Sequence, residues 1–179
     1  MSNRITELWS LKLNASDFRN IERVEGDNPE SGNGQLYIQI PKGFVESLLT
    51  FIRKDYPENG VVHEIEVYDI KKPDLTPKIL GFQSKSMGRM RTSKQNRHRN
   101  DRLCAWLPDR GFPTLEPFAT NDDAKRVLRE CGNVHLFLAR VQGEKVYVGF
   151  TKGEPSDSDA SQPFAGLLWG EGKGGYWSE

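Results

Sequence analysis

VHLFLARVQGEKVYVGFT, residues 134–151, decides the fold class of this chain. Residues 134–141 and 145–151 are rich in large apolar side chains, and only Gln142, Gly143 and Glu144 stand between them. Two such runs around a short turn that contains glycine are typical of a β-hairpin. The stretch therefore predicts two neighbouring antiparallel strands.

The remainder of the chain predicts more strands than helices. Further strand candidates are LYIQI (36–40), VVHEIEVYDI (61–70), KILGFQS (78–84) and LCAWL (103–107), and residues 4–13 form a first element of undecided type. Two helices are predicted, at 41–54 with Pro41 in the first turn and at 122–131 between a capping Asn121 and a terminating Gly132. Many strands with two main helices indicate an α+β, strand-rich and mostly antiparallel open barrel, or pseudobarrel.

Polar and terminal segments set the domain limits. EGDNPESGNG (25–34) predicts a long loop, PFAGLLWG (163–170) is expected to pack back on the domain, and 171–179 predicts a linker. The chain has no apolar run near the ~20 residues that span a bilayer and no secretory signal pattern. Its two cysteines, Cys104 and Cys131, are predicted core thiols. We therefore expect one cytoplasmic domain with a tail and without a membrane segment.

Charge is the strongest functional signal. The whole chain is neutral, with 25 basic and 25 acidic residues, but KSMGRMRTSKQNRHRNDR (85–102) holds seven Lys/Arg and one acid. This basic segment therefore carries +6 and the remainder carries −6. A concentrated basic segment rich in Arg indicates a polyanionic partner, because Arg forks contact guanine and phosphate. The less specific interpretation is a solvated basic loop, which is what most charge runs are.

Catalytic patterns are weak. The sequence contains no Gly-rich phosphate loop, HExxH or GxSxG pattern, so we predict no catalytic residue, metal ligand or cofactor in this chain. One alternative stays open. Glu64, Glu66, Asp69 and Lys71 offer the carboxylates and lysine of a self-contained metal-dependent nuclease, although a solvated strand face is the commoner origin of such a pattern.

Three pieces of sequence carry a family resemblance. They are GQLYIQIPKGFVESL (34–48), GFQSKSMGRMRTSKQNRHR (81–99), and KVYVGFT (145–151) with ASQPFAGLLWG (160–170). Together, over roughly residues 18–170, they resemble the amino-terminal DNA-recognition (effector) domain of EcoRII/UbaLAI-type restriction endonucleases, a B3-like DNA-binding pseudobarrel. The resemblance implies that residues 1–170 bind double-stranded DNA sequence-specifically and that 171–179 lead to a separate catalytic domain.

The resemblance also implies two arms that enter the DNA major groove. The first arm runs from Arg23 to Gln35 and enters a strand at Leu36, and the second runs from Ser86 to Arg99. The implied DNA-binding residues are Arg23, Asn33, Gly34, Gln35, Tyr37, Lys85, Arg89, Met90, Arg91, Thr92, Ser93, Lys94, Gln95, Asn96, Arg97, His98 and Arg99. Arg91 is expected to read a base and Lys94 to contact phosphate. Met90 either anchors the arm or contacts a thymine methyl group.

Two positions depart from the family pattern. Ser93 stands where the family has an acid for a cytosine amino group, and Gln95 stands where it has a second guanine-reading Arg. The expected target is a short GC-rich site related to CCWGG, where W is A or T. We expect a non-catalytic, monomeric domain of a type II restriction endonuclease, with Mg²⁺ used by the separate catalytic domain.

A third interpretation, an RNA-binding module, requires aromatic residues on an exposed sheet face.

Overall fold

The structure, a computed structural model, describes residues 4–22, 38–55, 62–84, 88–92 and 119–179. Within these ranges lies one sheet of eight strands. The strands are β1 (Ile5–Lys12), β2 (Ile38–Ile40), β3 (Val62–Asp69), β4 (Lys78–Ser84), β5 (Gly88–Thr92), β6 (His135–Val141), β7 (Val146–Thr151) and β8 (Gly174–Ser178). Their spatial order is β2-β5-β4-β3-β7-β6-β1-β8, so β2 and β8 form the two edges.

Neighbouring strands pair antiparallel, with the exception of the parallel pair β3 and β7. The hairpin predicted at 134–151 is confirmed, because β6 and β7 pair antiparallel with Arg140 opposite Val146. The first element, whose type the sequence left undecided, is the strand β1, which pairs with β6 and β8. The fold is therefore α+β with a mostly antiparallel open sheet, in agreement with the predicted strand-rich pseudobarrel.

The described residues also form five helices, of which the two longest are the predicted ones. They are α1 (Ala15–Glu22), α2 (Lys42–Ile52), α3 (Asn121–Cys131), α4 (Asp157–Ala160) and α5 (Ala165–Trp169). Helix α2 follows Pro41 directly and buries one apolar face, comprising Val45, Leu48, Leu49, Phe51 and Ile52. Apolar residues three and four positions apart line one side of a helix, which explains why this face turns to the sheet.

Helix α3 begins with a different cap from the one predicted. Thr120, and not Asn121, is the N-cap residue: its Oγ1 accepts a hydrogen bond from Asp123 N at 3.3 Å, and Asp123 Oδ2 accepts one from Thr120 N at 2.8 Å. This reciprocal pair is a capping box, which needs an acid three residues after the cap. Gly132 ends the helix as predicted, at a φ of 76° that favours glycine.

Loss of the capping box should weaken α3 modestly. We expect Thr120→Ala to lower the free energy of unfolding by about 1 kcal/mol, because the Asp123 backbone N–H at the helix start loses its acceptor, Thr120 Oγ1. Urea unfolding followed by tryptophan fluorescence measures the change. Thr120→Ser keeps a hydroxyl acceptor and serves as the control, so equal losses in the two variants would contradict the capping role.

The two faces of the sheet carry two apolar clusters. The main cluster joins β1, β3, β4, β6 and β7 to helices α1, α2 and α3, with Trp9, Phe18, Leu48, Phe51 and Phe82 among its most buried side chains. The second cluster comprises Leu8, Phe137, Ala139, Phe164 and Leu168. The last two residues come from the 163–170 segment, which therefore packs back on the sheet as predicted.

The C-terminal residues differ from the prediction of a linker at 171–179. Gly174–Ser178 form β8 and pair antiparallel with β1, where Trp177 lies opposite Leu8. The Trp177 ring packs 5.2 Å from the Phe164 ring. Gly174 has a φ of 109°, and a Cβ at this position would collide with the Ser10 carbonyl oxygen. The glycines that indicated a linker are instead what allows β8 to approach β1, so the sheet continues past the predicted boundary at residue 170.

A buried arginine ties the β6–β7 hairpin to α2 and β1. Arg140 is 6% exposed; its Nη2 donates to Phe51 O at 3.0 Å and its Nη1 donates to Glu144 O at 2.6 Å. Its Nε lies 3.0 Å from Glu7 Oε2, and Tyr176 Oη donates to Glu7 Oε1 at 2.8 Å. We call these five residues the Arg140 network. The network links four strands or helices through one cation.

Three predictions lie outside the described residues: the loop at 25–34, the strand at 103–107 and the core thiol Cys104. The other cysteine, Cys131, is half-buried at the end of α3 and packs against the main cluster. In the part of the chain that the structure describes, no helix has the length and apolar character needed to cross a membrane.

Candidate nucleic-acid interface

The first part of the basic segment is a strand of the sheet. Gly88–Thr92 form β5, which lies between β2 and β4 and pairs antiparallel with both. Of the predicted second arm, Ser86 to Arg99, residues 88–92 form β5 within the sheet, and the other residues of the arm lie outside the described residues. The sequence did not predict this strand, because two of its five residues are Arg, which is not among the residues enriched in strands.

The strand register brings the ends of both predicted arms to one end of the sheet. Ile38, the first residue of β2, lies opposite Met90, close to the end of β5 at Thr92. In an antiparallel pair, one strand begins at the end where the other finishes. Segment 23–37 therefore joins β2 at the end of the sheet where the chain leaves β5 after Thr92. Ser84 of β4 lies opposite Gly88 at the other end of β5. Gly88 and Thr92 stand about 13 Å apart at ~3.3 Å per residue.

Met90 occupies a core register. It lies opposite Ile38 on one side and Phe82 on the other, and these residues are 2% and 1% exposed. Residues that face each other across antiparallel strands share a face of the sheet. The register thus pairs position 90 with two buried positions, and the anchoring and thymine-contact interpretations of Met90 both stay predictions.

Arg91 occupies a different register row. It lies opposite Gly81 of β4, and Gly81 lies opposite Glu64 of β3, which is exposed. Arg89, two positions before Arg91, lies between Gln39 and Gln83. The Met90 row lies between the Arg89 row and the Arg91 row, and successive positions of a strand alternate between the two faces of a sheet.

The other implied DNA-binding residues lie outside the described residues. They are Arg23, Asn33, Gly34, Gln35, Tyr37, Lys85, Ser93, Lys94, Gln95, Asn96, Arg97, His98 and Arg99. The structure thus places the strands to which the two arms connect, together with the backbone of Arg89, Met90, Arg91 and Thr92.

The four residues of the nuclease alternative do not converge. Glu64 and Glu66 are exposed on one side of β3, whereas Asp69 is 6% exposed and falls on the other side by alternation. Asp69 Oδ1 accepts a hydrogen bond from Lys71 N at 2.8 Å, which closes a local turn. Among the described residues, no three His, Cys, Asp or Glu side chains are grouped so that they could hold a metal ion.

An aromatic pair lies on β3 and β7. Tyr68 and Tyr147 are paired in the parallel register, with ring centroids 5.8 Å apart. Lys145 Nζ lies 4.8 Å from the Tyr68 ring centroid, and both tyrosines are partly exposed. The RNA interpretation requires aromatic residues on an exposed sheet face, and these two rings are half-buried. Glu66 accepts a hydrogen bond from Tyr68 Oη at 2.8 Å, and its carboxylate opposes the approach of phosphate.

Sequence reasoning missed one residue beside the first arm. Asp17 of α1 is 3% exposed, and its Oδ1 accepts a hydrogen bond from the Gln39 backbone N–H at 3.0 Å. Asn14 Oδ1 caps the same helix by accepting from Asp17 N at 2.8 Å. Burial raises the pKa of the Asp17 carboxyl to about 6, and the hydrogen bond from Gln39 opposes the rise. The Asn-x-x-Asp pattern marks a helix start, but no local signal identifies Gln39 as the partner.

Asp17 should make the stability of the fold depend on pH. Its pKa in the folded state lies above the ordinary 3.8, so the folded state binds this proton more tightly than the unfolded chain does. The resulting stabilisation is complete below about pH 4 and is lost as the pH rises through about 6. The free energy of unfolding of Asp17→Asn minus that of the wild type should therefore increase by about 1–3 kcal/mol from pH 4 to pH 7.

Urea unfolding of both proteins across this pH range tests the prediction, and a difference that stays constant with pH would contradict it. The wild type must be compared with Asp17→Asn because, in both proteins, His135 makes the free energy of unfolding change with pH in the opposite direction. Burial lowers the pKa of the His135 imidazole below 6.5, so the stability that this group contributes rises with pH.

Comparison with known proteins adds no relative. No family model matches the chain, and no curated protein or solved structure matches it.

Proposed function

We propose that this chain is a recognition domain that binds double-stranded DNA sequence-specifically in the major groove. The proposal is carried by the common end at which the 23–37 segment joins β2 and the segment after Thr92 leaves β5. Adjacent strands lie about 4.8 Å apart, and the major groove is about 12 Å wide. Two segments that extend from this pair of strands can therefore enter one groove together.

The charge distribution supports a DNA partner. Segment 93–102 continues the basic segment beyond β5 and contains Lys94, Arg97, Arg99 and Arg102. The chain outside residues 85–102 carries −6, which disfavours nonspecific contact with DNA through other surfaces. Electrostatics should therefore orient the duplex toward the end of the sheet where both arms are attached.

The side chains offered there suit both base and phosphate recognition. In the proposal the Arg91 guanidinium contacts guanine O6 and N7, while Gln95 or Asn96 brackets an adenine. Lys94 and the outer arginines contact phosphate and contribute salt-dependent affinity. Asn33 and Gln35 of the first arm add further polar contacts.

We also propose the finer architecture and its biological setting. The open, mostly antiparallel sheet with two main helices supports a B3-like pseudobarrel. In this proposal the chain is the effector domain of an EcoRII/UbaLAI-type type II restriction endonuclease and acts as a cytoplasmic monomer. It is non-catalytic and needs no cofactor, whereas Mg²⁺ serves a separate catalytic domain.

Fluorescence anisotropy tests the proposal. The chain is titrated onto a labelled duplex that carries CCWGG and onto one with those bases scrambled, at about 50 and 200 mM salt. We expect a preference of at least about tenfold for CCWGG that persists at the higher salt, because base contacts release no counterions. Equal binding that is abolished by salt would replace the proposal with a generic basic surface or a different target. No binding at either salt concentration would overturn it.

RNA binding is a second candidate, favoured by the aromatic pair Tyr68 and Tyr147 beside Lys145. Base stacking on an aromatic side chain contributes about 1–3 kcal/mol per base. If this candidate holds, single-stranded RNA should bind more tightly than the CCWGG duplex, and Tyr68→Ala should weaken RNA binding alone. Duplex binding that is unaffected by Tyr68→Ala would favour the DNA proposal.

A further inference from the structure

We propose that Asp17 is a positioning residue for DNA recognition, which holds β2 against α1 and so fixes the point where the first arm joins the sheet. The functional part of this inference rests on the proposed DNA binding. The contact itself is a property of the fold: Asp17 Oδ1 accepts the Gln39 N–H at 3.0 Å. The two parts can therefore be tested separately.

The contact joins the two elements that flank the first arm. Helix α1 ends at Glu22 and β2 begins at Ile38, so residues 23–37 are the whole connection between them. Gln39 is the middle residue of the three-residue strand β2. One hydrogen bond thus ties the helix before the arm to the strand after it.

The edge position of β2 gives this bond its importance. Among the strands that the structure describes, β2 has β5 as its only neighbour, so within this described sheet the backbone groups on its outer side have no strand partner. The Asp17 carboxylate supplies the acceptor for the Gln39 N–H, which would otherwise be an unsatisfied donor. The side chains of Ile38 and Ile40 anchor β2 in the core, being 2% and 0% exposed. The bond to Asp17 fixes the backbone between these two anchors.

The carboxyl group is well placed for this role. Asp17 lies in the first turn of α1 behind its Asn14 cap, where the helix dipole favours a negative acceptor. Its side chain is 3% exposed, so water cannot easily replace the bond to Gln39. A displaced β2 would shift the first arm relative to the second, because Met90 of β5 pairs with Ile38.

Three variants test the proposal: Asp17→Ala, Asp17→Leu and Asp17→Asn. Alanine and leucine both lack an acceptor, the first being smaller and the second larger than aspartate, whereas asparagine keeps the shape and an acceptor oxygen. Hydrogen exchange of the Gln39 amide and affinity for the CCWGG duplex are measured for each folded variant. We expect Asp17→Ala and Asp17→Leu to speed Gln39 exchange and to weaken duplex binding about five- to tenfold. Asp17→Asn should restore both readouts to within about twofold of the wild type.

Leu168→Ala, in the second apolar cluster, is the matched control for lost stability. It should lower the unfolding midpoint while leaving both readouts near those of the wild type. Unchanged Gln39 exchange in Asp17→Leu would overturn the structural contact. Faster exchange with unchanged affinity, while the wild type still prefers CCWGG, would overturn the positioning role alone. A wild type that binds no duplex would instead overturn the proposed function and the positioning role with it.

Discussion

Arg140→Ala should lower the free energy of unfolding by about 3–5 kcal/mol. Arg140 is 6% exposed, and its guanidinium forms an ion pair with Glu7 while it donates hydrogen bonds to Phe51 O and Glu144 O. Alanine leaves the Glu7 carboxylate, whose side chain is 12% exposed, without its buried partner. It also leaves the Phe51 carbonyl at the end of α2 without a donor. Truncating one partner of a buried pair is costly because the other charge stays desolvated.

Guanidinium denaturation measured by tryptophan fluorescence gives this free energy. Arg53→Ala is the matched control, because Arg53 also contacts Glu7 and Glu144 but its side chain is 55% exposed. Exposed ion pairs contribute little to stability, so this variant should change the midpoint far less. The double variant Arg140→Met with Glu7→Gln should recover part of the loss, since it removes the unpaired charge. A loss in Arg140→Ala no greater than that in Arg53→Ala would show that the network contributes little.

Arg91→Ala should abolish the preference between the CCWGG duplex and the scrambled duplex. An Arg fork to guanine contributes about 1–3 kcal/mol of discrimination, which is roughly 5- to 150-fold in affinity. Lys94→Ala should weaken binding to both duplexes alike and reduce the dependence of affinity on salt by about one counterion. The two variants therefore separate base recognition from phosphate contact.

Two measurements keep the roles of Arg91 and Lys94 distinguishable. Arg126→Ala on α3 is a control for lost positive charge, because this side chain is 62% exposed and lies outside the basic segment; it should leave the preference unchanged. The free energy of unfolding of Arg91→Ala is also needed, since Arg91 shares a register row with Gly81 and Glu64. Parallel loss of affinity in Arg91→Ala and Lys94→Ala would show that the proposed division between base and phosphate contacts is wrong.

The parts of the fold that the sequence could predict are those whose signal is local. Helix α2 shows its buried face through apolar residues at helical spacing, and the β6–β7 hairpin shows its turn at Gln142 and Gly143. Strand β1 was left undecided because Leu8, Trp9, Ser10 and Leu11 are all buried, so the usual alternation of a strand is lost. Strand β8 was missed because only its distant partner β1 distinguishes a glycine-rich strand from a linker.

The candidate site also has one part that a local signal predicts and another that depends on contacts between distant residues. Charge alone identified the basic segment, and this signal is visible without a structure. The pairing of β2 with β5, which brings the two arm connections together, joins residues far apart in the sequence. The Asp17–Gln39 bond likewise depends on how α1 meets the sheet edge. Buried Arg140 was not foreseen either, since its partners come from β1, α2 and the hairpin turn.

The position of β1 between β6 and β8 has a consequence for the order of folding. Ile5 pairs with Val141 and Leu8 pairs with Trp177, so both neighbours of this early strand are made late in synthesis. Loop-closure entropy must be overcome before such distant pairs form, which slows the search for the native topology. During translation β1 stays unpaired until β6 has left the ribosome, and its apolar residues remain exposed to aggregation for that time. We therefore expect slow folding, with a rate that falls when β1 pairing is weakened and a yield that improves with a chaperone that shields the nascent chain.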